Sequence, residues 1–412
     1  MLLPFRAVLL LTCSQFVLAC GPSDAAEADR AARSPAGPGA APFANAGGNA
    51  AAEPAPAADA AFLARCRAAA EYSRAKGGEV MLVLRDGSPV FRDTINGFTV
   101  DTPHLLASGT KSFSGIAAAL AVDDGMLSLD ERVSDTITEW KADPRKAAIT
   151  VRQLLSLSSG LESLGSKIDN PRNARAAGIT DRARASIDAR LLSAPGERFI
   201  YGPSSFYVFG ELMKRKLAAA RTGDADVIAY LTRKVFEPLG ISPRFTRDEA
   251  GNANLPGGCL LGASQWATFG ELVRNGGMHG GRRLVSEASL AELLKPQPGG
   301  PRRSYGLTWW LLFDGPDGAD PEEELAADIA AERLEQQGGA MRRRMAERVR
   351  ERAKASATDA GPGKPLGVMA AGKGKQRLYV LPKQGLTVVR FGPIEGSRGY
   401  QDGEFLRLLL GD

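Results

Sequence analysis

"ASGTKSFSGIAAALA", residues 107–121, decides how the rest of the chain is read. It holds a serine, Ser108, and a lysine three positions on, Lys111, and then runs into apolar sequence. Phe113, Ile116, Ala117, Leu120 and Ala121 recur at i, i+3, i+4, i+7 and i+8, and Gly125 closes the run. That is the spacing of a buried, amphipathic helix with a glycine stop. Residues three apart share a helix face, so the Lys111 amine would lie one turn below the Ser108 hydroxyl. The N–H groups of a helix start carry partial positive charge, useful where an oxyanion develops. Burial disfavours the charged form of an amine, so a lysine placed there gives up its proton more readily. This is a nucleophile with its own base. The spacing alone fits two ordinary helix residues equally well. A second copy, Ser73-Arg-Ala-Lys76, ends a helical stretch just before Gly77-Gly78.

Composition narrows the chemistry. The chain has 412 residues, 44% hydrophobic and 24% charged, enough for a large core. A net charge of +5 is small for this length and argues against a nucleic-acid protein, which needs a concentrated basic face. There are two histidines, His104 and His279, and His279 lies in "GGMHGGRR", a hairpin-tip pattern. No His/Cys cluster suggests zinc, and no G-x-S-x-G elbow is present. A serine hydrolase built on this chain would need a base other than histidine, and no metal or organic cofactor.

The first twenty residues, "MLLPFRAVLLLTCSQFVLAC", place Arg6 ahead of an apolar run too short to span a membrane. "VLAC" resembles a bacterial lipobox with Cys20 as the lipidated residue; an ordinary secretory signal cut nearby is the plainer alternative. Both imply export, and the first a periplasmic lipoprotein held at the membrane. Residues 21–60 are mostly Ala, Gly and Pro and read as a disordered tether, with the folded domain from Ala61. Cys66 and Cys259 remain; export permits a disulfide, but nothing in the sequence brings them together.

Along the domain, 60–78 has helical spacing, and 79–95 is a hairpin around Asp86-Gly87. Further helices are expected at 149–161, capped by Thr150, and at 203–217, with Pro203 in the first turn. Others follow at 225–241 and 263–277 and at the C-terminus. Residues 305–313 read as a strand and 376–392 as a second hairpin. Strands at both ends and helices between them, about 106–285, predict an α+β domain with one antiparallel sheet built from both termini. Residues 314–363 interrupt this plan with an acidic run, Gly338-Gly339 and a basic run, read as two solvated helices.

"LLASGTKSFSGIAAALAVDDGMLSLDERVSDTI" (105–137) followed by "ITVRQLLSLSSGL" (149–161) resembles the serine β-lactamase and penicillin-recognising superfamily. The likeness is greatest to its class C and esterase branch and extends over about 61–412, the charged insertion apart. The resemblance implies the β-lactamase/transpeptidase-like fold, acylation of Ser108, and Lys111 as its base. "YGPSSFYVFGEL" (201–212) matches the Y-x-N region, which implies that Tyr201 shuttles protons to the leaving group. "PLGI", "GGMHGGRRLV" and "YGLTWW" follow in family order. Three departures stand out. The family's His-Thr is Leu157-Ser158, the Y-x-N asparagine is Pro203, and no K-T-G or H-x-G is visible. The third motif falls either at Gly367–Met369 or, with a shorter loop, at Ala371–Gly374 in "GVMAAGKGKQRLYVLP". The second placement makes Ala371 the partner of Ser108 in the oxyanion hole. Pro203, Cys259, Gly372 and Lys373 then line the substrate pocket, Lys373 or Lys375 otherwise pointing to solvent.

The expectation is an exported serine hydrolase acting on a small ester or amide, peptidoglycan fragments among the candidates, without strong β-lactamase activity. The rivals are a catalytically inactive wall-binding or scaffold lipoprotein and a D-Ala-D-Ala carboxypeptidase.

Overall fold

The computed structural model describes residues 57–313, 364–396 and 399–411, with short pieces between 329 and 349. The signal segment, Cys20 and most of the tether lie outside the described residues, as does most of the 314–363 insertion.

The first described element is α1 (Ala57–Ala75), which starts ahead of Ala61, the expected start of the folded domain. Four residues expected in the tether belong to the helix, because Ala is the best helix former and Asp59 suits a first turn. β1 (Val80–Arg85) and β2 (Ser88–Thr94) follow, turning at Asp86 and Gly87, both at positive φ. A two-residue strand, β3 (His104–Leu105), leads into a 3₁₀ turn (Ala107–Thr110) and α2 (Lys111–Asp123). The helical region continues through α3 (Val151–Leu155), α4 (Arg182–Asp188) and α5 (Ser204–Ala219). Then come β4 (Arg244–Phe245), β5 (Cys259–Leu261), α6 (Ala263–Arg274), the hairpin of β6 (Met278–His279) and β7 (Arg282–Arg283), and α7 (Glu287–Leu293). The chain returns to the sheet with β8 (Trp310–Phe313), β9 (Pro365–Gly372), β10 (Gln376–Leu381) and β11 (Leu386–Phe391), and closes with α8 (Asp402–Leu410).

The main sheet has the order β2-β1-β11-β10-β9-β8, antiparallel throughout. It is built from both termini, as the sequence predicts. β1 and β11 pair centrally, from Val80 opposite Phe391 to Arg85 opposite Leu386. Side chains alternate between its faces. Leu378 and Thr387 face Gly270 of α6, whereas Tyr379 stacks on Phe405 of α8. The result is three layers, with α1 and α8 on one face and α6 with the helical region on the other. The insertion leaves after Phe313 and returns before Pro365, residues that pair with each other at one edge of the sheet. It joins two neighbouring strands, and their register shifts between Leu312 and Phe313, where it departs.

Two helices differ from the sequence expectation. The 149–161 helix is only Val151–Leu155; Thr150 and Gln153 form the expected capping box, but Leu157 adopts φ +57° and turns the chain. α2 is buried on all sides from Lys111 to Ala121, not along one stripe. Its polar residues are absorbed by the core, Ser112 donating to the Thr308 carbonyl at 3.1 Å. Phe113 meets Phe236, Phe245 and Phe269 at ring distances of 4.5–5.8 Å.

Candidate active site

Ser108 lies in the 3₁₀ turn, three residues before the α-helical path begins. Residues i and i+3 eclipse one another in such a turn, so the pairing with Lys111 survives the change of helix type. The Lys111 amine donates to the Ser108 hydroxyl at 3.0 Å and to the Pro256 carbonyl at 2.7 Å. Lys111 is only 4% exposed. Its Nζ stands 4.8 Å from the Tyr201 ring centre and 5.3 Å from that of Phe206. Ala107, immediately before Ser108, is held at φ +46°, sparsely populated for an L-residue with a side chain. Strain of this kind persists only where the surroundings over-determine the backbone.

Those surroundings are visible. Leu106 donates its N–H to the Cys259 carbonyl at 2.8 Å, and the Cys259 N–H donates to the Thr110 hydroxyl at 3.2 Å. β5 thus braces the turn from one side. Gly109 lies against Trp266, where an added Cβ would fall 2.9 Å from the indole. From the other side comes the end of β9. A Cβ on Gly372 would sit 2.0 Å from the Leu106 carbonyl oxygen and 3.0 Å from the Gly109 nitrogen. Gly372 belongs to the shorter-loop alternative for the third motif, Ala371–Gly374, and is the residue set against the turn. Gly367 instead lies against Val380 and Leu381 of β10. The obstacle at Gly372 is backbone, so Gly372→Ala must push the strand off the turn. We expect the variant to fold and to lose about a hundredfold in turnover, the usual cost of a misplacement near 1 Å. Ester hydrolysis measured beside a thermal melt checks this.

Tyr201 approaches from the segment before α5. It is half-buried, its ring stacked on Trp310 at 6.1 Å and beside Phe199 at 6.2 Å. Pro203 is buried and caps α5 from outside, one position earlier than the expected first turn. It presents no amide where the family pattern has asparagine. Cys259 does not line an open pocket: its side chain is fully buried in the core, and burial raises its thiol pKa well above the usual range. Cys66 is also buried, with its thiol pushed up to about 11, chiefly by burial, and both are free cysteines. Lys373 is exposed and pairs with Glu395 at 3.2 Å, the solvent alternative named above.

Sequence reasoning passed over Pro256, whose contribution is a backbone carbonyl and leaves no residue signature. It also passed over the buried arginines behind the β9–β10 turn. Both lie inside strands, in "QRLYVL" and "LTVVRF", where an arginine by itself reads as a surface position.

The Beta-lactamase family profile matches residues 58–391. Among curated proteins, the chain is similar to Protein flp of Staphylococcus aureus (strain MRSA252), 28% identical over 140 residues, 34% of this chain and 27% of that one. It is also similar to monacolin J acid methylbutanoyltransferase of Aspergillus terreus, 32% identical over 165 residues, 35% of this chain and 38% of the transferase. The matched stretch thus spans little more than a quarter of the staphylococcal relative. Among solved structures it is similar to EstCE1, described as a hydrolase with promiscuous acyltransferase activity. That likeness has a TM-score of 0.57 at 18% identity and covers 85% of this chain and 98% of EstCE1.

Proposed function

The chain belongs to the beta-lactamase family, and from that premise we propose that it is a serine hydrolase of small esters or amides working through a Ser-Lys-Tyr acyl-enzyme. The observation that carries this reading is the Ser108–Lys111 contact at 3.0 Å, with the amine anchored at 2.7 Å on Pro256. A neutral amine that donates to Pro256 keeps its lone pair for the serine proton. Ser108 Oγ attacks the carbonyl carbon while its proton passes to Lys111 Nζ. The N–H groups of Ser108 and Ala371 hold the oxyanion. The Tyr201 hydroxyl relays the proton to the leaving group as the tetrahedral adduct collapses. Water then enters by the reverse route, giving up a proton through Tyr201 and Lys111, and frees the acid and Ser108. EstCE1 and the Aspergillus transferase both move acyl groups by their names, which supports an acyl-enzyme here. Pro203 in place of an amide favours a compact ester over a β-lactam. The signal and lipobox pattern extends the proposal to a periplasmic enzyme tethered through Cys20.

Tyr201→Phe tests the relay. With an alkyl ester, whose alkoxide must be protonated to leave, kcat/KM, which reports acylation alone, should fall by roughly 10²–10⁴-fold. With a p-nitrophenyl ester, whose leaving group needs no proton, the loss should be much smaller. Equal losses on both esters, or none, would remove Tyr201 from the mechanism.

A further inference from the structure

Behind the β9–β10 turn lie two arginines with no measurable exposure, Arg377 and Arg390, directly opposite each other on neighbouring strands. Like charges facing across a ladder repel, and burying a guanidinium costs heavily in desolvation. Well-packed apolar residues of similar volume often serve stability as well or better. Such a pair therefore calls for a reason beyond packing, and its hydrogen bonds point to one.

Arg377 forks onto Asp402 at the start of α8, Nε to Oδ1 at 2.7 Å and Nη2 to Oδ2 at 3.1 Å. Its remaining Nη1 donates to the Gly372 carbonyl at 3.1 Å. Arg390 donates from Nη1 to the carbonyls of Gly374 at 3.1 Å and Lys375 at 2.9 Å. It also reaches Ser73 and Lys76 at the end of α1, both at 3.2 Å. Tyr379 donates to Asp402 and meets the Tyr400 hydroxyl at 2.9 Å, and the Arg390 guanidinium lies 4.4 Å over the Tyr400 ring. Three carbonyls of one short turn are thus held by two planar forks, themselves anchored on both terminal helices. The Gly372 carbonyl shares its flat peptide unit with the Lys373 N–H, so the clamp reaches the Ala371 N–H along the strand end to which Ala371 and Gly372 both belong. Gly372 is the residue that abuts Leu106 and Gly109 on the other side.

We propose that Arg377 and Arg390, with Asp402, are positioning residues that set the Ala371–Gly372 edge against Ser108 and so fix the second oxyanion donor. This rests on the hydrolase reading given above for its catalytic consequence, but not for the placement of the edge. A charged clamp anchored on α1 and α8 thereby holds the strand on which the K-T-G pattern is absent.

The test uses Arg377→Lys, which keeps the charge and loses the fork, and Asp402→Asn, which keeps the shape and loses the anchor's charge. Fluorophosphonate titration counts competent sites, so misfolded protein drops out. Per titrated site, kcat for a p-nitrophenyl ester should fall by about tenfold to a hundredfold, with KM held within about twofold. Amide exchange across 371–375 should quicken in both variants. A merely structural role predicts fewer titrated sites with unchanged kcat per site and unchanged exchange at the turn, and that result overturns the proposal. If the wild type takes up no fluorophosphonate, the hydrolase reading falls and exchange alone decides. Faster exchange at 371–375 then upholds the positioning role, and unchanged exchange overturns it.

Discussion

Lys111→Met should cost about 10⁴-fold in kcat/KM toward a p-nitrophenyl ester while leaving the fold intact. The magnitude follows from the place of the amine. Lys111 Nζ is the group at 3.0 Å from the Ser108 hydroxyl, and it is buried beneath a half-buried serine. Without it the serine keeps its proton at neutral pH, and attack depends on the small fraction ionised unaided. Stability should move little, because two changes oppose each other. The Pro256 carbonyl loses its 2.7 Å partner, which costs about 1–3 kcal/mol. Methionine, of similar length, buries an apolar chain where an amine had to be desolvated, which offsets that cost. A Tm within about 5 °C of wild type beside a collapse in turnover would identify Lys111 as chemical machinery. A large fall in Tm with the remaining folded fraction fully active would make it a core residue.

Asp402→Ala should produce a large stability loss, about 3–5 kcal/mol, read from the shift in a urea midpoint. The carboxylate is fully buried, and its removal strands Arg377 in the interior. Burial alone would raise the Asp402 pKa, but Arg377, together with Lys375 and Tyr379, outweighs it and holds the carboxyl below its ordinary range. The sign of the pH dependence follows. A carboxyl with a depressed folded pKa stabilises above its unfolded pKa, about 3.9, and loses that contribution as pH falls through the folded value. The gap between wild type and Asp402→Ala should therefore be full at neutral pH and narrow only below about pH 4. A gap that narrows at pH 6 would point to another group.

How far the sequence carried can be seen residue by residue. Asp86-Gly87 marked the first hairpin because both positions need φ above zero, a demand written in the residues themselves. The apolar spacing after Lys111 located α2, and Thr150 with Gln153 located the start of α3. The end of α3 was not legible. Leu157 turns the chain at φ +57°, and leucine carries no local signal for that conformation. Spacing singled out Ser108 and Lys111, and resemblance to a family gave them and Tyr201 their roles; the Ser108 hydroxyl and the Tyr201 ring both lie beside the Lys111 amine. Cys259 was expected in a pocket wall, but its side chain turns into the core while its backbone braces the Ser108 turn. Pro256 acts through its backbone, where any residue supplies the same carbonyl. Arg377 and Arg390 were hidden by the opposite problem: an arginine inside a strand reads as a surface position until the third layer, α1 and α8, is known to cover it.

The central claim is that Ser108 is the nucleophile. Intact-protein mass spectrometry of wild type and Ser108→Ala, after exposure to a fluorophosphonate and to a p-nitrophenyl ester, tests it most directly. We expect one adduct per wild-type chain, mapped to the peptide carrying Ser108, and none on the variant. Folded wild-type protein that takes up neither reagent, or a Ser108→Ala variant labelled as fully as wild type, would contradict the account.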